Sequence, residues 1–249
     1  MHSLLSEMLQ HNAIWRGDDL AHTKQPSIPS GFAALDQALP GGGWPVGALT
    51  EILSNAQGIG ELSLIAPAIA AQTRQGQGVV LINPPHWLYG PAWAAHGVAL
   101  AHCLVVRPER ANDVLWVAEQ SLRAGACGLV VVWPEFKQYA PDYRVLRRLQ
   151  TAADTGQTSG IVFRSERVAH EASPAPLRLQ LAARASSLAV SIIKRRGTPL
   201  PHPILLALRS EALRTATRID PPRFTPTPQA AAPSAPSPAT PPRLRVVSY

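Results

Sequence analysis

Residues 31–64, GFAALDQALPGGGWPVGALTEILSNAQGIGELSL, constrain the fold more than any other stretch of this chain. They read as a short helix, a Gly-rich turn (Gly41, Gly42, Gly43, Gly47), an apolar strand, and a loop that opens onto a second helix. In nucleoside-triphosphatases a strand–loop–helix step of this kind carries G-x-x-x-x-G-K-[ST]. Its backbone N–H groups, lysine and hydroxyl hold phosphates and Mg²⁺. Here Ser54, Gly58 and Gly60 keep the loop, but Glu61 stands where the lysine would be. Leu62 follows with no oxygen for a metal, and Ser63 comes one place late. A charge pair at ~4 Å is worth about 4 kcal/mol at an effective dielectric of ~20. Exchanging that attraction for repulsion swings phosphate binding by roughly 8 kcal/mol before screening. The expectation is a degenerate nucleotide loop with no cofactor and no catalytic residue.

The rest of the chain alternates strand with helix. Residues 78–83 (GVVLIN) and 128–133 (GLVVVW) are short Val/Ile-rich runs that suit buried parallel strands. Helices are expected over 61–75, over 111–125, and from Pro141 and Asp142 through Ala153. In the second, Val114, Ala118 and Leu122 share a face, and Asn112 or Asp113 is placed to cap the start. Residues 159–164 (SGIVFR) read as a further strand. LRLQLAA then alternates strictly and LAVSIIKRR follows a short turn, an antiparallel hairpin expected at the sheet edge. Such alternation implies right-handed crossovers and a three-layer α/β domain with a mostly parallel sheet.

Four phrases in this order carry a resemblance: ALDQALPGGGWPVGALTEI, VVLINPPHWLYGPAWAAHGV, the 111–125 helix with GLVVVW, and the hairpin ending in IIKRRG. Together they resemble the RecA-type recombinase core over residues 28–208, and more closely the ImuA family, whose members are similar to SulA cell-division inhibitors. GIGELSL in place of a phosphate loop points to ImuA rather than RecA. The resemblance implies an N-terminal segment (1–27), a RecA-like pseudo-ATPase domain (28–210) and a Pro-rich tail (211–249). It also implies that Asn83, Pro84, Pro85 and His86 occupy the place of the recombinases' water-activating carboxylate. Trp133, followed by Pro134, stands at the metal-binding aspartate, with Glu135 close by, and Arg164 and Ser165 stand at the polar sensor.

The implied role is a non-catalytic accessory protein in SOS-induced, error-prone translesion DNA synthesis. Its partners would be RecA, ImuB (a polymerase-like protein lacking catalysis) and an error-prone C-family DNA polymerase. The alternative is a SulA-type division inhibitor that binds FtsZ, although such proteins are shorter and generally lack this Gly-rich stretch and tail. A working ATPase is the third reading, opposed by residues 60–63, 83–86 and 133.

Charge divides the chain. Residues 1–140 hold 7 Lys/Arg against 10 Asp/Glu, whereas residues 141–249 hold 16 against 6, within a net charge of +7. A polyanionic partner is expected on one side. The candidate DNA-phosphate contacts are Arg144, Arg147 and Arg148, at i, i+3, i+4 of one helix, and Lys194, Arg195 and Arg196 at the hairpin's end. Contacts of this kind are sequence-blind and salt-sensitive. Residues 221–242 hold nine prolines and read as a disordered spacer. The spacer leads to RLRVVSY, where Leu244, Val246, Val247 and Tyr249 form a candidate partner-docking peptide that adds a strand or fills a groove.

The segment 4–15, with Leu4, Leu5, Met8 and Leu9, is expected to pack as a helix on the core, with contact to a partner as the alternative. Cys103 and Cys127 read as two buried thiols, and the histidines show no metal-ligand spacing. No run approaches ~20 apolar residues and the N-terminus lacks a signal-peptide layout, so no membrane partner and a cytoplasmic location are expected.

Overall fold

The computed structural model describes residues 26–134, 142–185 and 187–207, together with the backbone of 244–247. Glu135, Pro141, segment 4–15, the stretch 221–242 and Tyr249 lie outside the described residues. A two-stranded antiparallel ribbon, β1 (Ser27–Ile28) with β2 (Trp44–Pro45), flanks helix α1 (Ala33–Ala38) at the entrance to the domain. The chain then alternates: β3 (Leu49–Ser54), α2 (Glu61–Arg74), β4 (Gly78–Ile82), α3 (Gly90–Ala95), β5 (Cys103–Pro108), α4 (Ala111–Arg123), β6 (Cys127–Val132), α5 (Tyr143–Gly156) and β7 (Ser159–Ser165). It continues through β8 (Leu177–Ala183), β9 (Leu188–Lys194) and β10 (Ile204–Leu206), and β11 (Leu244–Val247) comes last.

Nine strands form one sheet in the order β10-β9-β8-β3-β7-β6-β4-β5-β11. The six from β8 to β5 run parallel, and β9 and β11 run antiparallel to their neighbours. β3 lies in the interior of the sheet, and its residues from Leu49 to Leu53 are all buried, as a strand covered on both faces requires. On one face Leu35, Leu64, Ile65, Ile69 and Trp93 of α1, α2 and α3 pack on the sheet. On the other, Val114, Leu122, Leu146 and Leu149 of α4 and α5 do the same. This is the three-layer, mostly parallel architecture implied by the strand–helix alternation.

Three details depart from the sequence reading. Helix α4 begins after Arg110 with no side-chain cap, so neither Asn112 nor Asp113 fills that role; Asp142 does cap α5, accepting from the Val145 N–H at 2.9 Å. The β8–β9 hairpin is not the edge, because β10 pairs outside it. At the opposite edge β5, a strand not singled out beforehand, accepts Leu244–Val247, read in sequence as part of a peptide for docking on a partner, as an antiparallel neighbour within the same chain. The close packing of α4 on α5 depends on Gly156, where a Cβ would meet the Leu122 carbonyl oxygen at 2.0 Å.

Candidate functional site: a filled phosphate loop

The loop between β3 and α2 keeps the backbone form of an anion nest. Gly58 and Gly60 have φ of +74° and +102°, values that L side chains rarely adopt, and Gly60 is the residue from which α2 starts. The ligand of that nest is already in place. Gly58 N–H donates to Glu61 Oε1 and Ile59 N–H to Glu61 Oε2, both at 2.9 Å. Glu61 is buried, with 7% of its surface exposed, and sits in the first turn of a fourteen-residue helix. A carboxylate is stabilised there by the helix N-terminus. Hydrogen bonds to a charged acceptor contribute ~1.5–3 kcal/mol each. An incoming phosphate would have to break two of them and displace a like charge. The sequence reading saw only the repulsive charge of Glu61; its folding back onto the loop was not legible from spacing. Ser54 turns the loop's first step, with its hydroxyl donating to the Ala56 carbonyl at 2.6 Å and accepting from the Ala56 N–H at 3.2 Å. Leu62 packs against the α2-side core, and Ser63 is half-buried.

The remaining positions close around a cleft of ≈ 530 Å³ at the carboxyl ends of the parallel strands, lined by Glu61, Asn83, Arg107, Trp133, Phe163 and Arg164 among others. In open α/β sheets ligands bind at such ends. The groups that line this one are engaged in holding the fold. Trp133 is buried and stacks on Phe163 with centroids 4.9 Å apart and planes 4° from parallel. Asn83 takes a left-handed backbone (φ 55°), and its side-chain amide donates to the Trp133 carbonyl at 2.9 Å. Its own N–H donates to the Val106 carbonyl at 2.8 Å, tying the ends of β4, β5 and β6. Pro84, Pro85 and His86 follow, and the His86 carbonyl accepts from the Arg107 guanidinium, which also lies 4.4 Å over the exposed Trp87 ring.

Arg164 is drawn beneath the cleft. Its Nη1 lies 3.1 Å from Glu51 Oε2, its Nη2 lies 3.6 Å from Glu171, and Arg178 Nε reaches the same Glu51 oxygen at 3.4 Å. The Ser173 hydroxyl donates to the other Glu51 oxygen, and Arg178 donates to the carbonyls of Val168, Ala169 and Glu171. Ser165 accepts from the Arg167 N–H at 3.3 Å and starts a short turn. Among the described residues no cluster of three His, Cys, Asp or Glu side chains is placed to hold a metal ion.

The basic candidates come from two elements. Arg144, Arg147 and Arg148 are exposed on α5, and Arg148 pairs with the nearly buried Glu119 of α4. Lys194 donates to the Ser173 carbonyl, Arg195 to the carbonyls of Thr198 and Ala38, and Arg196 is exposed. Half of the six are therefore engaged with their own chain. Cys103 and Cys127 are free, half-buried thiols in the strands on either side of β4, and burial pushes both up to about 11. Among the described residues no helix is long and apolar enough to cross a membrane.

Comparison with known proteins agrees with this architecture. The family model described as RecA N-terminal domain matches residues 4–135. Protein RecA of Picosynechococcus sp. is 36% identical over 120 residues, 48% of this chain and 34% of that protein. Protein RecA of Chlorobaculum parvum is 36% identical over 117 residues (47% and 33%), and that of Bacillus subtilis 34% over 111 (44% and 31%). The chain thus spans about a third of the length of the curated relatives it matches.

Proposed function

The chain belongs to the RecA N-terminal domain family, and from that premise we propose that it is a non-catalytic member, a pseudo-ATPase acting as an adaptor in error-prone DNA synthesis after damage. The observation that carries the first half is the Glu61 carboxylate bound to the Gly58 and Ile59 amides. Phosphoryl transfer needs positioned cations and a metal around the γ-phosphate. In their places stand an internal anion, an aromatic stack and a structural asparagine.

The second half rests on lineage and on the ImuA-like phrases. A RecA-shaped body freed from nucleotide exchange offers helical faces and strand edges to RecA, to a polymerase-like ImuB-type protein and to an error-prone C-family polymerase. The exposed arginines of α5 would hold the assembly at DNA by phosphate contacts. The test is damage-induced mutation frequency in a strain deleted for this gene and in the complemented strain. A fall to the undamaged background, restored on complementation, is expected. An unchanged frequency overturns the adaptor reading, and cell filamentation on expression would put division inhibition in its place.

A further inference from the structure

The cleft beside Glu61 does not end at β3. A second cavity, of ≈ 700 Å³, lies on the far side, lined by Glu166, Arg167 and His170 after β7, by Gln180 of β8 and by Ile193 of β9. Asn55 and Ser165 line both cavities, which therefore adjoin. Arg107 of β5 lines the first, so the two together form a trough across the strand order from β5 to β9. Those strands are six inter-strand steps apart, about 29 Å. An extended chain of about nine residues covers that distance at ~3.3 Å per residue. The β9 end of the trough is held in place. Arg178, buried in β8, donates to the carbonyls of Val168, Ala169 and Glu171, and Lys194 donates to that of Ser173. The turn that carries Arg167 and His170 is thereby tied to the sheet.

The groups along the middle of the trough differ from the engaged ones beneath it. Asn55, Gln57 and Gln180 line it, and none of their side-chain amides is hydrogen-bonded among the described residues. A side-chain amide both donates and accepts, the same pairing set that a peptide bond offers. Phosphate oxygens only accept, and the carboxylates of Glu61 and Glu166 line the same trough, so a polyanion fits it poorly. On the cleft side Pro84, Pro85 and the stacked Trp133 and Phe163 supply an apolar wall. We propose that the trough binds an extended peptide segment of a partner protein. Its main chain pairs with Asn55, Gln57 and Gln180, and one aliphatic or aromatic side chain lies against the Trp133–Phe163 wall. The inference rests on the pseudo-ATPase reading, because a nucleotide at the β3–α2 loop would take the same cleft.

The probe is a phage-displayed library of nine-residue peptides, selected against the full-length chain and followed with the synthesised binders in fluorescence anisotropy. Losing two amide partners in the Asn55→Ala, Gln180→Ala double variant should weaken binding by about tenfold or more. Gln120→Ala, which removes an exposed amide on α4, should bind as wild type. Binders carrying a photoreactive residue at either end should cross-link to residues 83–85 from one end and to residues 166–170 or Ile193 from the other. A selection that enriches no binder, an unchanged affinity in the double variant, or cross-links outside the trough overturns the proposal. Displacement of the peptide by a nine-nucleotide oligothymidylate also overturns it, by giving the trough to single-stranded nucleic acid. ATP hydrolysis is measured on the wild type without peptide. Turnover there would remove the pseudo-ATPase reading and this inference with it, whereas failed peptide binding without turnover removes this inference alone.

Discussion

The indole of Trp133 lies flat against the ring of Phe163, 4.9 Å between centroids and 4° between planes, at the ends of the adjacent parallel strands β6 and β7. Both rings belong to the α2-side core and also line the cleft, so the cleft wall is continuous with the hydrophobic interior. Restoring one acidic residue there is therefore expected to damage the fold rather than recreate a metal site. Trp133→Asp should cost at least the ~3–5 kcal/mol typical of removing a buried aromatic, read by chemical denaturation. Adding Mg²⁺ should not recover that loss; a Mg²⁺-dependent rise in stability would show that the position can still act as a metal ligand.

Glu61→Ala removes the internal anion and leaves the Gly58 and Ile59 amides open at a helix N-terminus. Two outcomes are expected together: loss of the ~1–3 kcal/mol associated with leaving buried donors without partners, and a new stabilisation by millimolar sulfate or phosphate. Wild type should show no such response in the same thermal scans. Glu61→Lys should bind nucleotide weakly and still fail to hydrolyse it, because positions 83 and 133 carry no carboxylate. Turnover above background by this variant would contradict the structural roles given to Asn83 and Trp133.

The sequence announces the strands whose apolar runs are continuous, such as GVVLI and GLVVVW, because burial on both faces favours apolar side chains. It is less informative about β5, whose CLVVRP carries a charge and ends in proline, and about β11, whose pairing depends on a long-range closure with no local signature. At the site the residue types at positions 61, 83 and 133 can be read from the sequence. Their arrangement cannot: a carboxylate folded back onto two amides, or a ring stacked on a residue thirty positions away, is set by tertiary placement. Glu51 and Arg164 are likewise anonymous in sequence, although their pairing joins β3 to β7.

Glu51 has a fully buried side chain and serves both Arg164 and Arg178. Removing the charge of one member of such a group leaves the others poorly compensated in a low-dielectric interior. Glu51→Gln should lower unfolding free energy by about 3–5 kcal/mol, the cost of breaking a buried pair. Replacing Glu51, Arg164 and Arg178 together by methionine should cost much less, since an apolar substitute carries no desolvation penalty. Equal losses in the single and triple variants would mean that packing, not charge, sets the cost.

The two thiols give a pH dependence with a definite sign. Burial raises Cys103 and Cys127 from 9.0 to about 11, so folding favours the protonated thiol. Their contribution is complete below pH 9 and is lost as pH rises towards 11, because the unfolded chain ionises first. Stability of the wild type should fall across that window by more than in the Cys103→Ala, Cys127→Ala double variant, compared in urea titrations at each pH. Alkylation of either thiol at pH 8 in the folded protein should be at least tenfold slower than in 6 M guanidinium.

Arg144 and Arg147 are exposed on α5, and neither side chain is hydrogen-bonded or ion-paired among the described residues, whereas the side chains of Arg148, Lys194 and Arg195 are engaged with Glu119, Ser173 and Ala38. If DNA is held by phosphate contacts, the first two are available to make them, as is the exposed Arg196. Each phosphate neutralised contributes ~0.9 to the slope of log K against log salt on a duplex. Arg144→Ala with Arg147→Ala should therefore reduce that slope by about 2 and weaken binding of unrelated duplexes to a similar extent. Replacing Lys194 and Arg195 instead should act mainly on stability, by releasing the carbonyls of Ser173, Thr198 and Ala38. Fluorescence anisotropy at several salt concentrations separates the two. An unchanged slope in the α5 variant would move any DNA contact off this helix.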